Sequence, residues 1–232
     1  MTTVQLPASM HCRLWQVDLD ATPAPQAVAS LSEAEWERAR RFVFKRDRNR
    51  FIAAHAALRQ LLGHHSGQAG ERLRFVAGRF GKPALASADL HFNLSHSHGT
   101  GLVALSTRDE LGVDVEIVRP MPDALALAAA YFSPAEQAAL TACPTAQRDR
   151  AFFVCWTRKE ACLKAAGVGL GLDTRSFHVG LEPDARHVTM PLADGPLQMA
   201  LVSTHDGQGA VAALAKVLTM RRDAEPQCEV FA

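Results

Sequence analysis

Hydrophobic and polar positions change period several times along the chain, and each change marks an element. Leu31-Ser32-Glu33-Ala34-Glu35 has the pattern of a capping box. Ser32 is placed to accept from a free amide of a first helical turn, and Glu35 to reach back to it. Phe132-Ser133-Pro134-Ala135-Glu136 repeats the pattern, with Pro134 at the first helical position, where its missing N–H is harmless. A longer helical segment follows each start. The first is predicted over roughly Arg48 to Leu62, with Phe51, Ala54, Leu58, Leu61 and Leu62 on one face and a stop at Gly63. The second is predicted over roughly Asp149 to Ala166, with Phe152, Phe153, Trp156, Leu163 and Ala166 inward and a stop at Gly167.

Two hairpins complete the repeat. The runs 94–104 and 202–212 both read as β-segments around a polar turn, and aligned without gaps they share a Ser, two Gly, a Val and an Ala. The expected fold is therefore α+β, built from two similar α+β lobes. The N-terminal lobe spans 1–110 and the C-terminal lobe 111–232, with the junction near Asp109 to Gly112 and a cleft between them. The polar tail after Met220 is expected to be mobile.

Within this frame one strand stands out. Leu111-Gly112-Val113-Asp114-Val115-Glu116-Ile117 alternates, so Val113, Val115 and Ile117 point one way and Asp114 and Glu116 the other. Two carboxylates on one face of an apolar strand call for a cation, and hard oxygen donors without Cys or His suit magnesium. An edge strand with a solvated acidic face is an equal reading of this segment. Far along the chain, Trp156, Glu160 and Lys164 form one helical stripe. Glu160 is a candidate third metal carboxylate, and Lys164 a candidate phosphate partner. The alternative is an i,i+4 surface ion pair with Trp156 as core filler.

The first half adds a basic run, Arg38 to Arg50. It reads as a solvated helix face or, more sharply, as a phosphate-binding site. Formal net charge is only +1 over 232 residues, which argues against nucleic acid as partner. Gly81-Lys82-Pro83 is a turn displaying one lysine. Ser95 and His96 are adjacent on a strand, so they point to opposite faces and make a poor nucleophile–base pair. No G-x-S-x-G elbow supports a hydrolase either. The five cysteines show no metal spacing and are expected as free thiols in a reducing compartment. Without a leader-like or bilayer-length apolar run, the expected location is the cytoplasm.

Taken in order, Phe80-Gly81-Lys82-Pro83, Phe92-Asn93-Leu94-Ser95-His96, Gly112-Val113-Asp114-Val115-Glu116 and the run from Trp156 to Ala165 resemble the 4'-phosphopantetheinyl transferases of the surfactin-synthetase-activating (Sfp-like) type. The resemblance spans Phe80 to Leu170, and the helix start and basic run extend it to about Ser32. It implies lobes related by pseudo-two-fold symmetry, with coenzyme A bound between them as substrate. It implies that Asp114, Glu116 and Glu160 hold Mg2+ and that Lys159 and Lys164 contact phosphates. It further implies that Ser95 and His96 bind the nucleotide end, with Arg38 and Lys82 near the 3'-phosphate or adenine. The implied reaction moves phosphopantetheine onto a serine of an apo acyl, polyketide or peptidyl carrier protein, releasing 3',5'-ADP. The catalytic set would be Asp114, Glu116, Glu160 and Lys164, in a monomer with no nucleic-acid or membrane partner. Cys162 departs from the family, where an aromatic residue is common. The competing readings are another magnesium enzyme acting on phosphoesters and a non-enzymatic docking module.

Overall fold

A computed structural model describes residues 1–78, 80–86, 89–205 and 209–218; the tail expected to be mobile lies outside the described residues. The first half contains β1 (Thr2–Val4), β2 (Arg13–Asp18), α1 (Pro25–Ala29), α2 (Glu33–Arg40), α3 (Lys45–Ser66), β3 (Phe75–Ala77), β4 (Pro83–Leu85), β5 (His91–Ser97) and β6 (Thr100–Ser106). The second contains β7 (Leu111–Ile117), α4 (Ala124–Tyr131), α5 (Pro134–Ala142), α6 (Thr145–Ala166), β8 (Arg186–Leu192), β9 (Gly195–His205) and β10 (Ala210–Val217). All strand pairs are antiparallel, in sheets ordered β1-β2-β6-β5 and β7-β10-β9-β8, plus a small β3–β4 hairpin. No helix among the described residues is long and apolar enough to cross a membrane.

The halves repeat one connectivity: a strand, a capped short helix, a 22-residue helix and a hairpin. Both capping boxes form as the sequence predicts, at Ser32/Glu35 and Ser133/Glu136. Each capping glutamate also turns inward onto a cation of the long helix. Glu35 accepts from the Arg59 Nε at 2.7 Å, and Glu136 pairs with the Lys159 Nζ at 2.8 Å. Each cation then binds two carbonyls of the chain leaving its helix: Gly70 and Leu73 for Arg59, Thr174 and Phe177 for Lys159. Each also lies over a ring, Phe75 at 5.0 Å and Phe177 at 4.5 Å. The device fixes the short helix, the long helix and the returning loop to one another, and each buried charge has an opposite partner where an unpaired charge would be costly.

Both long helices outrun their expected bounds. α3 passes through Gly63 and ends at Gly67, in the left-handed region at φ 68°. Gly63 answers instead to packing, because a Cβ there would come within 2.8 Å of the Gln68 carbonyl oxygen. The stop at Gly167 is as expected, with φ 66° and its N–H bonded to the Leu163 carbonyl.

Three apolar clusters hold the layers together. One lies between α3 and its sheet, with Leu58, Leu62, Phe92 and Val103. One lies between α6 and its sheet, with Phe153, Leu163, Leu201 and Ala213. The third joins the halves: Leu14, Leu102 and Ala104 meet Val113, Val115 and Leu214. The two sheets thus meet face to face in the middle of the molecule, with a long helix on each outer side.

The two capping-box devices give an acid-stability signature. Burial alone pushes the Glu35 carboxyl up, but hydrogen bonds from His55 and Ser32 and the Arg59 charge outweigh it and hold it at about 2. A depressed carboxylate contributes stability that is present above its unfolded value of 4.5 and lost as pH falls through about 2. Chemical denaturation across that window should therefore show native stability falling more steeply than in Glu35→Gln; parallel curves would contradict the pairing.

Candidate active site

The site begins with one glycine. Gly112 opens β7 where the strand crosses α6, and a Cβ there would sit 2.2 Å from the Ala161 carbonyl oxygen and 2.3 Å from the Ala165 nitrogen. With no side chain, strand and helix backbones come into contact. The next residues on that face, Asp114 and Glu116, are thereby brought beside the Glu160 and Lys164 stripe of α6. Val113 and Val115 point the other way, into the core between the halves, as the alternation predicts.

β7 is the edge of its sheet, and β5 is the edge of the other. They run side by side without backbone pairing, joined through β5 side chains. The Val113 N–H donates to Asn93 Oδ1 at 2.9 Å and the Ile117 N–H to Ser97 Oγ at 3.3 Å. Ser95 Oγ donates to Asp114 Oδ1 and Ser97 Oγ to Glu116 Oε2, both at 2.9 Å. This ladder covers an edge that would otherwise expose free N–H groups. β7 is therefore an edge strand whose acidic face is only partly solvated: Asp114 is buried at 6% exposure, and the Glu116 side chain is 26% exposed.

The buried charge is partly matched. Lys164 Nζ donates to Asp114 Oδ1 at 2.6 Å and lies 3.2 Å from Ser95 Oγ. Its partner is thus across the seam on β7, which removes the simple i,i+4 pair with Glu160. Asp114 Oδ2 is buried with no hydrogen-bond partner. Burial raises the Asp114 carboxyl above its usual value; Lys164 and Ser95 lower it, and Glu116 adds to the rise. Glu160 is raised by burial first, then by the charge of Asp114, with Lys164 opposing and Glu116 adding a smaller push. The three carboxylates therefore share one field and repel one another. As placed, no three His, Cys, Asp or Glu side chains among the described residues form a group able to hold a metal ion. The donor set nevertheless fits a hard cation: an orphaned buried carboxylate oxygen beside two further carboxylates is what such an ion neutralises.

Across the seam lies a cleft of about 810 Å3 lined by α2, α3, the β3–β4 turn and β5, including Arg38, His55, Arg74, Phe75, Phe92 and Leu94. Arg38 projects over the Phe51 ring at 5.4 Å. His96 is exposed, on the opposite face of β5 from Ser95. Partial burial and the charges of His55, Lys164 and Arg38 hold its imidazole below the usual value. His96 is thus within range of the Arg38 and Lys164 charges, which disfavour its own protonation.

Three residues expected at phosphates or the nucleotide are otherwise engaged in this structure. Lys159 is 2% exposed, and its three N–H donors are engaged by Glu136, Thr174 and Phe177, so no phosphate reaches it. Adjacent helical residues point about 100° apart, so Lys159 turns into the core when Glu160 faces the site. Lys82 turns away from the cleft that Gly81 and Pro83 line. Its ammonium binds Glu110 and the Leu111 and Ala165 carbonyls, tying the turn to the junction and to the end of α6. The Ser95 hydroxyl is engaged by Asp114 and Lys164 inside the seam, so it orients the acidic strand and does not face the cleft. Asn93 and Ser97 were not singled out from the sequence, although their period-two spacing with Ser95 was a readable signal of one polar strand face. Cys155 and Cys162 are buried free thiols, burial pushing Cys162 up to about 12; Cys12 and Cys143 are also free. Cys228 lies outside the described residues.

Comparison with known proteins follows the same division of the chain. Residues 110–215 match the model of the 4'-phosphopantetheinyl transferase superfamily, and residues 20–109 match that of the 4'-phosphopantetheinyl transferase N-terminal region. The chain is 39% identical over 168 residues to the 4'-phosphopantetheinyl transferase HetI of Nostoc sp. strain PCC 7120, covering 70% of this chain and 71% of HetI.

The chain belongs to the 4'-phosphopantetheinyl transferase superfamily.

A 4'-phosphopantetheinyl transferase of Bacillus subtilis is 32% identical over 189 residues, covering 81% of this chain and 82% of its own length. Sfp of Bacillus subtilis strain 168 is 30% identical over 165 residues, covering 71% and 72%. The protein is accordingly a transferase enzyme.

The repulsion at the seam has a measurable sign. A carboxyl raised by folding binds its proton more tightly in the native state, so stability falls as pH rises through the unfolded value toward the raised one. In chelator at neutral pH, Glu160→Gln should raise Tm, since it removes a charge that burial and the Asp114 carboxylate oppose. A lower Tm would show that Glu160 is held by compensating contacts and not in a repulsive field.

Proposed function

We propose that the enzyme transfers the 4'-phosphopantetheine arm of coenzyme A to a serine of an apo carrier protein across the β5–β7 seam, releasing 3',5'-ADP. The observation that supports this reading is the meeting of Asp114, Glu160 and Lys164 beside the β5–β7 seam, with a cleft of about 810 Å3 bordered by β5. The serine oxygen forms a bond to the β-phosphorus, and the bond from that phosphorus to the nucleotide-side oxygen breaks. Such transfers need alignment and charge neutralisation more than covalent help.

In this proposal Arg38 and His96 bind the nucleotide end: Arg38 lines the cleft, His96 lies within range of its charge, and a guanidinium fork matches phosphate oxygens. Glu160 takes the serine proton, because a carboxyl held above its ordinary value by burial and by the Asp114 charge is a better base than an ordinary one. Lys164 stabilises the leaving phosphate from its position on Asp114. Ser95 and Ser97 orient Asp114 and Glu116. Asp114, Glu116 and Glu160 are the residues that would hold Mg2+. When bound, the ion supplies Lewis-acid neutralisation of the pyrophosphate. We further propose a cytoplasmic monomer with the first half contributing the nucleotide contacts and the second the acidic and catalytic groups. A pseudo-two-fold relation between the halves is supported by their repeated connectivity, and the absence of nucleic-acid partners by the net charge of +1.

Incubation with coenzyme A, Mg2+ and an apo carrier should add one phosphopantetheine to the carrier by intact mass. Asp114→Ala should reduce the rate by at least about a hundredfold, the scale of losing one transition-state electrostatic group. Release of 3',5'-ADP without any carrier would point instead to a phosphodiesterase.

A further inference from the structure

The two acidic residues of β7 are each held in the same way, by a serine of β5 and a cation on one carboxylate oxygen. Asp114 Oδ1 accepts from the Ser95 hydroxyl at 2.9 Å and from the Lys164 ammonium at 2.6 Å, while its Oδ2 is buried with no hydrogen-bond partner. Two residues on, Glu116 Oε2 accepts from the Ser97 hydroxyl at 2.9 Å and from Arg119 Nη1 at 3.3 Å. Among the described residues no hydrogen bond or ion pair reaches Glu116 Oε1. Each carboxylate therefore keeps one oxygen unengaged by the protein. The two cations come from opposite sides. Lys164 reaches from α6 to β7, and Arg119 reaches from the chain leaving β7 onto α6. The Arg119 guanidinium lies over the Phe153 ring at 4.7 Å and donates to the Ile117 carbonyl at 3.2 Å. Phe153 is buried at 2% exposure, about two turns before Glu160 on the same helix.

We propose that Arg119 is a positioning residue of the transferase: with Ser97 it holds Glu116 by Oε2, so that Oε1 is presented to the divalent ion. This rests on the reading above that Asp114, Glu116 and Glu160 hold that ion. As a surface i,i+3 ion pair, Glu116–Arg119 would contribute little to stability. What it fixes is direction. The Asp114 side chain is short and enclosed, at 9% exposure; Glu116 is a methylene longer and 26% exposed, so its carboxylate swings unless anchored. Arg119 can anchor it because the Phe153 ring and the Ile117 carbonyl set the guanidinium plane. Groups that orient a metal ligand through its other atoms matter strongly, and losing one typically weakens metal binding about ten- to a hundredfold. A positive charge near the site also repels the ion. The Arg119 side chain is 46% exposed, so water and salt screen that repulsion and the orienting effect outweighs it.

Mn2+ affinity in the presence of coenzyme A, read from the electron paramagnetic resonance of the free ion, tests this role. Methionine keeps a long side chain without donor or charge, and lysine keeps both. Arg119→Met should weaken Mn2+ binding about tenfold, and Arg119→Lys should recover most of that loss. In a Glu116→Ala background Arg119→Met should change Mn2+ affinity by less than about twofold, because Arg119 acts only through Glu116. Coenzyme A binding by calorimetry in chelator should change little in every variant, which also shows each to be folded. Unchanged or tighter Mn2+ binding in Arg119→Met would overturn the proposal, as would an equal loss in the Glu116→Ala background. A parallel loss of coenzyme A affinity in chelator would make Arg119 a direct substrate contact and overturn it too. If Asp114→Ala and Glu116→Ala weaken Mn2+ binding and Arg119→Met does not, the ion site stands and the Arg119 role falls. If none of the three weakens it, both fall.

Discussion

The structure depends on how the Asp114 carboxylate is accommodated. It lies in the seam between two sheets, one oxygen taken by Ser95 and Lys164 and the other bare. Burying an ionised carboxylate is costly unless partners meet it. Here those partners come from three separate stretches of chain: a serine of β5, a lysine of α6 and, in the proposed working enzyme, a divalent ion. The seam is consequently polar on the α6 side and apolar on the other, where Val113 and Val115 meet Leu102 and Ala104. Apolar burial joins the halves without directional preference, and the side-chain ladder from Asn93, Ser95 and Ser97 sets their register.

The repeated capping-box device explains how the fold tolerates this arrangement. Each half carries its own buried ion pair, Glu35–Arg59 or Glu136–Lys159, in which each charge has an opposite partner. Those pairs tie the short helix, the long helix and the returning loop of each half to one another. The seam is then free to keep its charges imperfectly matched, with carboxyls raised in the folded state at Asp114 and Glu160. Incomplete matching of this kind is a stability cost concentrated where an anionic substrate and its cation would relieve it.

Much of this was legible in the sequence, for identifiable reasons. The capping boxes were readable because they are local: Ser32 and Glu35 need only one another to declare a helix start. The face of Asp114 and Glu116 was readable because strand alternation has a period of two with no drift. What the sequence did not reveal was the destination of long side chains. Lys159 and Lys82 carry charges that suit a phosphate, yet each is drawn to carbonyls that only the folded chain supplies. The end of α3 was misplaced at Gly63 because a glycine serves close packing as readily as it serves a cap, and composition does not distinguish the two uses. The edge-versus-buried ambiguity of β7 was unreadable because its cover comes from β5, an element of the other half.

The central claim is that the bare Asp114 oxygen, Glu116 and Glu160 constitute one cation site. Crystals grown with coenzyme A and Mn2+ in place of Mg2+ test it most directly through an anomalous difference map. The account predicts one strong peak at ligating distance from Asp114 Oδ2 and from the Glu116 and Glu160 carboxylates, on the pyrophosphate side of the seam. A peak elsewhere, or an Asp114 Oδ2 still bare with coenzyme A in the cleft, would contradict it.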